Sequence, residues 1–150
     1  MKIIAQNKKA LFDYTVLDRI ETGIVLTGDE VKALRAGHLN LTGSFATIHD
    51  GELVLTNAHI TPYSHAYTKA EEHARRSRKL LVHKKELQQL VGQISKKGIT
   101  LIPLKVYFNE KGKVKVDLGL CKHKKAHDQR REIKERDIQR ETQRELKKYL

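Results

Sequence analysis

The sequence predicts a mainly β fold: a small antiparallel barrel, closed or partly open, with two or three short helices and a basic C-terminal tail. Three observations carry that prediction. Short strand-like runs recur from Tyr14 to Leu120, two of the turns between them have hairpin chemistry, and past Leu120 the apolar alternation stops while basic residues crowd in. The last strand, Lys113 to Leu120, sets Val114, Val116 and Leu118 on one side and Lys113, Lys115 and Asp117 on the other, the period of a half-buried strand. From Lys122 onward too few apolar residues remain to cover a face. The body is therefore assigned to residues 1–120 and the tail to residues 121–150.

Each element has its own signal. Met1 to Leu11 is polar after Ile3 and Ile4 and is expected to lie over the surface. Tyr14 to Glu21 reads as a first strand, and Gly23 to Leu26 continues it beyond a glycine kink or bulge. In TGDEVKALRAG, Thr27 or Asp29 can cap, Val31 and Leu34 share a face, and Gly37 supplies a left-handed stop, which predicts a helix of about two turns. Ser44 to His49 and Glu52 to Leu55 form a hairpin about Asp50-Gly51, and Thr56 to Ile60 is expected to prolong its second strand. Thr61 to Ser77 has no steady period and reads as a long mobile loop. Lys79 to Val82 is a short strand. Lys84 to Lys97 is the clearest helix, with Leu87, Leu90, Val91 and Ile94 on one face and Gly98 closing it. Ile99 to Phe108 and Lys113 to Leu120 form the last hairpin around residues 109–112. From Asp128 to Leu150 helix formers abound but few apolar residues offset the ordering cost, so this stretch is expected to be disordered when free and helical on a partner.

Charge narrows the partner. Thirty Lys and Arg against eighteen Asp and Glu give +12, of which +5 falls between Gly119 and Leu150. A basic body with a denser basic tail points to a polyanion, nucleic acid above all, because each neutralised phosphate releases counterions. The tail lacks the apolar face that membrane binding needs, and no run is long enough to span a bilayer. The single Cys121 rules out an intrachain disulfide and fits a reducing cytoplasm.

Catalytic chemistry is thinly represented. Cys121, His123 and His127 have a suggestive spacing, but a structural zinc site takes four ligands and there is no second cysteine, so no metal or cofactor is expected. Neither phosphate-binding glycine motif occurs, and no motif sets a nucleophile beside a base. Arg75, Arg76, Arg78 and Lys79 read equally as phosphate contacts or as solvated surface. Tyr63 and Tyr67 could stack bases, whereas Tyr107 sits in a strand pattern that favours interior packing. Glu21, beside Gly23, could pair with a local cation or accept hydrogen bonds from base edges or 2′-hydroxyls.

Five blocks in order resemble one family. ETGIVLTGDEVKALRAG at 21–37, NAHITPY at 57–63, RSRKLL at 76–81, KGITLIPLKVYF at 97–108, and KVKVDLGL followed by a basic tail are similar to SmpB, the SsrA-binding proteins. The resemblance implies an oligonucleotide-binding-type (OB-fold-like) barrel and a non-enzymatic RNA-binding adaptor of trans-translation. Its body would bind the tRNA-like domain of transfer-messenger RNA, one protein to one RNA. Its tail would occupy the decoding centre and empty mRNA channel of a stalled 70S ribosome. Matched by motif, the implied RNA contacts are Glu21, Leu81 and Lys115, with Asn7, Arg78 and Lys79 beside them. The implied tail residues are Lys124, Lys125, His127, Asp128 and Arg130. Where the family commonly has G-K-K and D-K-R, this chain has His123-Lys124-Lys125 and Asp128-Gln129-Arg130, a stiffer junction with one charge fewer. Competing readings are a general single-strand binder, which would want exposed stacking aromatics, a structural ribosomal protein, and an enzyme.

Overall fold

The computed structural model of the chain describes residues 1–61, 73–95 and 98–148, with the side chains of residues 126–129, 131–132 and 145–148 outside the description. Most of the expected loop at Thr61 to Ser77 therefore falls outside the described residues. The described chain runs β1 (Lys2–Gln6), α1 (Lys8–Asp13), β2 (Tyr14–Ile24), α2 (Gly28–Arg35), β3 (Leu39–Asn40), β4 (Phe45–His49) and β5 (Glu52–Thr56). It continues through β6 (His59–Ile60), β7 (Arg78–Leu81), α3 (Lys84–Ile94), β8 (Ile99–Phe108), β9 (Val114–His123) and α4 (Ala126–Lys148).

Antiparallel pairing closes six strands into a ring, β9-β8-β4-β5-β7-β2 and back to β9. The predicted barrel is thus present. One edge of β8 is shared: Leu101 pairs with β4, and Lys105 to Phe108 pair with β1. Inside the ring, Leu53, Leu55, Leu80, Leu101, Val106, Val116, Leu118 and Leu120 form the main core. Their alternation along each strand leaves the opposite face to other residues, apolar where α1 covers Ile102, Leu104 and Cys121 and more polar beyond it.

Local signals explain most elements. Thr27 and Glu30 form a reciprocal capping box at the start of α2, and Gly37 at φ +80° follows its end. Asp50 and Gly51, at φ +50° and +74°, make the tight turn between β4 and β5.

Four expectations are corrected. The N-terminus is integrated, not draped: β1 pairs with β8, and α1 packs Ala10 over Ile102, Leu104 and Cys121. The irregularity in β2 lies between Val16 and Asp18, whereas Gly23 pairs in register with both Leu81 and Lys115. Gly23 suits a close approach, since a Cβ there would lie 3.3 Å from the Leu81 Cβ. Asn57, at φ +67°, turns the chain out of β5, so His59 and Ile60 pair with β3 in a separate two-stranded sheet instead of prolonging the hairpin. Finally, β9 runs to His123, three residues past Leu120, and buries Cys121 completely.

Candidate nucleic-acid interface

The outer face of β7, β2, β9 and β8 is where the implied RNA contacts meet. Residues paired across neighbouring strands share a face. One cross-strand row holds Leu81, Gly23, Lys115 and Tyr107; the next holds Glu21, Asp117 and Lys105. Glu21, Leu81 and Lys115, distant in sequence, therefore lie on adjoining rows of one surface. Leu81 is 50 % exposed, an apolar side chain held out in solvent on top of Gly23. The opposite phase, with Thr22, Val116 and Val106, points inward. Helix α1 covers only the far end of this outer face, over Ile102, Leu104 and Cys121, and so leaves the Glu21 end open.

Hydrogen bonds organise the open end. Tyr107 lies on β8 and Glu21 on β2, with β9 between them, and the phenol reaches across β9 to donate to Glu21 Oε2. Burial first, then the hydrogen bond to Glu21 and the charges of Glu21 and Asp117, push the Tyr107 phenol far above its ordinary value, so it remains a donor. The Lys105 ammonium sits 5.6 Å from the centre of the Tyr107 ring. Beside them Arg19 Nη1 donates to Asp117 Oδ2 at 2.9 Å. Tyr107 is 7 % exposed, as its strand pattern suggested, and offers no face for base stacking. Its bond to Glu21 was not foreseen from sequence. The available signal was phase: Tyr107 is two residues from Lys105 on one strand, hence on the outward side.

Two expected contacts turn out to be internal. Asn7 is 4 % exposed; its Oδ1 accepts from the Ala10 N–H at the start of α1, and its Nδ2 donates to the Pro103 and Leu41 carbonyls. Arg78 is 1 % exposed. It donates to Glu30 Oε2 at 2.6 Å and to the carbonyls of Ala58 at 2.8 Å and Ala74 at 3.0 Å. Both side chains hold the body together, and neither is presented to a phosphate. The rest of the basic run is also partnered: Arg75 donates to Asn57 Oδ1, Arg76 to Glu30 Oε1, and Lys79 to Glu52 at 3.1 Å. Of these, Arg75 and Lys79 stay exposed at the surface.

The tail leaves from a fixed junction. His123 pairs with Tyr14, and their rings meet edge to face with centroids 5.0 Å apart. The Lys124 N–H donates to the Asp13 carbonyl at 2.9 Å and its ammonium to the Leu11 carbonyl at 3.2 Å, at the end of α1. Lys125 and Arg130 are exposed, and Arg136 sits 5.6 Å from the centre of the Phe12 ring. The backbone of His127 and Asp128 is in α4, while their side chains lie outside the described residues. Cys121 is sealed in the core beneath α1, its thiol pushed up to about 11 by burial, with Arg19 acting weakly the other way. Among the described residues no group of three His, Cys, Asp or Glu could hold a metal, and no helix is long and apolar enough to cross a membrane.

Against known proteins, the family model described as SmpB protein matches residues 4–148. The chain belongs to the SmpB family. The SsrA-binding protein of Helicobacter hepaticus is 47 % identical over 149 residues, covering 99 % of this chain and 96 % of that one. Those of Saccharopolyspora erythraea and Thermus thermophilus are 51 % and 50 % identical, covering 97 % and 93 % of this chain and 90 % and 96 % of theirs. A solved structure described as "tmRNA-SmpB: a journey to the center of the bacterial ribosome" matches with a TM-score of 0.68 at 50 % identity, over 84 % of this chain and 87 % of that one.

Proposed function

We propose that this protein is the RNA-binding adaptor of trans-translation, binding transfer-messenger RNA and delivering it to stalled ribosomes. The observation that carries the reading is the convergence of Glu21, Leu81 and Lys115 on one open face of a barrel belonging to the SmpB family. That face combines a carboxylate acceptor, an exposed apolar side chain and a cation, which suits a folded RNA better than a bare phosphate track. Lys79, exposed two residues before Leu81, adds a phosphate contact at its rim. The body binds the tRNA-like domain. The arm beyond β9, with Lys124, Lys125, His127, Asp128 and Arg130, enters the decoding centre and the empty mRNA channel. The arm orders fully as a helix only there, since its apolar residues are too few to hold a 23-residue helix against the body in water. The protein acts as a monomer on one RNA in the cytoplasm, is not itself an enzyme, and leaves peptidyl transfer to the ribosome.

The test is a reconstituted rescue assay with ribosomes stalled at the end of an mRNA lacking a stop codon. With transfer-messenger RNA and this protein, the stalled peptide is tagged and released. Tagging that proceeds equally without the protein contradicts the reading.

A further inference from the structure

We infer that Tyr107 is a positioning residue for RNA recognition, fixing the Glu21 carboxylate so that its open oxygen, Oε1, is held toward a hydrogen-bond donor of the RNA. The inference rests on reading this face as the RNA interface. Glu21 stands on a strand with its side chain exposed, where a free carboxylate would rotate among several orientations. Tyr107 prevents that. Its ring is buried, its partner on β9 is Lys115, and its hydroxyl donates across β9 to Glu21 Oε2. Among the described residues no Lys, Arg or other donor meets Oε1. Of the basic residues of this corner, Lys105 lies over the Tyr107 ring, Arg19 is bonded to Asp117, and Lys115 stands in the adjoining row with no bond to Glu21 among the described residues.

The chemistry of the RNA group follows. Tyr107 holds one lone pair of Oε2 and with it the plane of the carboxylate, so Oε1 is the oxygen left open to an RNA donor, such as a ribose 2′-hydroxyl or an exocyclic amine. Glu21 thereby reads the position of one donor, and the neighbouring Lys115 supplies charge that any phosphate would satisfy. Tyr107 acts through Glu21 and touches no RNA itself.

The experiment is a double-mutant cycle with full-length protein, measuring affinity for transfer-messenger RNA and for an ordinary tRNA of equal length in Glu21→Gln, Tyr107→Phe and the double variant. Expected is a loss on the order of tenfold for transfer-messenger RNA in each single variant, a smaller loss for tRNA, and a double variant no weaker than Glu21→Gln alone. Wild-type affinity in Tyr107→Phe, with Glu21→Gln weakened, overturns the inference and leaves the interface standing. Independent losses that add in the double variant also overturn it, because Tyr107 would then act without Glu21. No loss in Glu21→Gln removes the interface reading and the inference with it. A second measurement does not depend on the Tyr107 variant: alkaline titration of tyrosine absorbance should show one late-ionising phenol in the wild type that ionises earlier in Glu21→Gln. An identical titration in the two proteins also overturns the coupling.

Discussion

Arg78 and Glu30, 48 residues apart, are joined inside the body at 2.6 Å, the guanidinium 1 % and the carboxylate side chain 12 % exposed. The pair ties the first turn of α2 to the start of β7. Glu30 Oε1 also accepts from Arg76 and from the Thr27 N–H at 3.0 Å, so one carboxylate closes a helix cap and anchors two arginines. Burial pulls the Arg78 guanidinium below its ordinary value despite Glu30, which marks the pair as positional, expensive to break and only modestly stabilising on its own.

Removing the carboxylate should therefore cost more than the pair contributes. Glu30→Ala is expected to lower stability by about 3 kcal/mol, as an uncompensated buried charge and a lost cap require. A denaturant midpoint within error of the wild type would contradict this. The pH dependence has a definite sign. Burial tends to raise the Glu30 pKa, but bonds from Arg76, Thr27 and Arg78 outweigh it, and the folded value lies below the ordinary 4.5. Its contribution is full above 4.5 and disappears as pH falls through the depressed folded value. Acid unfolding of Glu30→Ala should accordingly be less steep below that pH than in the wild type.

Gly119 is fixed by contact. A Cβ at this position would lie 2.7 Å from Leu104 Cδ1 and 3.0 Å from Cys121 Sγ, and both neighbours are buried. Gly119→Ala should destabilise by roughly 1 to 3 kcal/mol through overpacking and loosen α1, which covers the same cluster. Labelling of Cys121 by a thiol reagent reads this directly: slow in the wild type, where burial hides the thiol and raises its pKa, and much faster in the variant. Equal labelling rates would show that α1 does not depend on this packing.

The end of β9 sets where the arm can be cut. Cys121 and Lys122 pair with Thr100 and Ile99, and His123 with Tyr14. Deletion of residues 125–150 should preserve RNA affinity and thermal stability and abolish tagging. Deletion of residues 121–150 removes those pairings together with a fully buried side chain, and should melt lower. Loss of RNA affinity in the shorter deletion would contradict the division of labour between body and arm.

Salt should separate the roles of Lys115 and Glu21. Lys115→Ala is expected to weaken binding to all RNAs and to lower the salt dependence by about one counterion. Glu21→Ala makes the protein more positive yet should weaken binding to transfer-messenger RNA, with the salt slope unchanged. Tighter binding by Glu21→Ala would mean that the carboxylate merely repels phosphate.

How much of this is legible in the sequence depends on the distance between partners. Turns and amphipathic runs are local: Asp50-Gly51, the Thr27–Glu30 cap and the Leu87–Ile94 face could each be read within a few residues. Element β1 could not, because Ile3 and Ile4 sit among polar residues and become strand only by pairing with β8, about a hundred positions away. The same holds for function. Motif matching gathers Glu21, Leu81 and Lys115, and strand register puts them on one face. Arg78 and Arg76 look alike in a basic run, and only the distant Glu30 reveals that Arg78 is buried. Tyr107 and Glu21 are 86 residues apart, and nothing local to either announces the bond.

The most direct measurement is a binding titration of the full-length protein against transfer-messenger RNA and an ordinary tRNA of equal length, at two salt concentrations. Phosphate contacts alone lose affinity steeply with salt on both RNAs alike. The account predicts a clear preference for transfer-messenger RNA that survives the higher salt. Equal, salt-labile binding to the two RNAs would contradict it and leave a general nucleic-acid binder in its place.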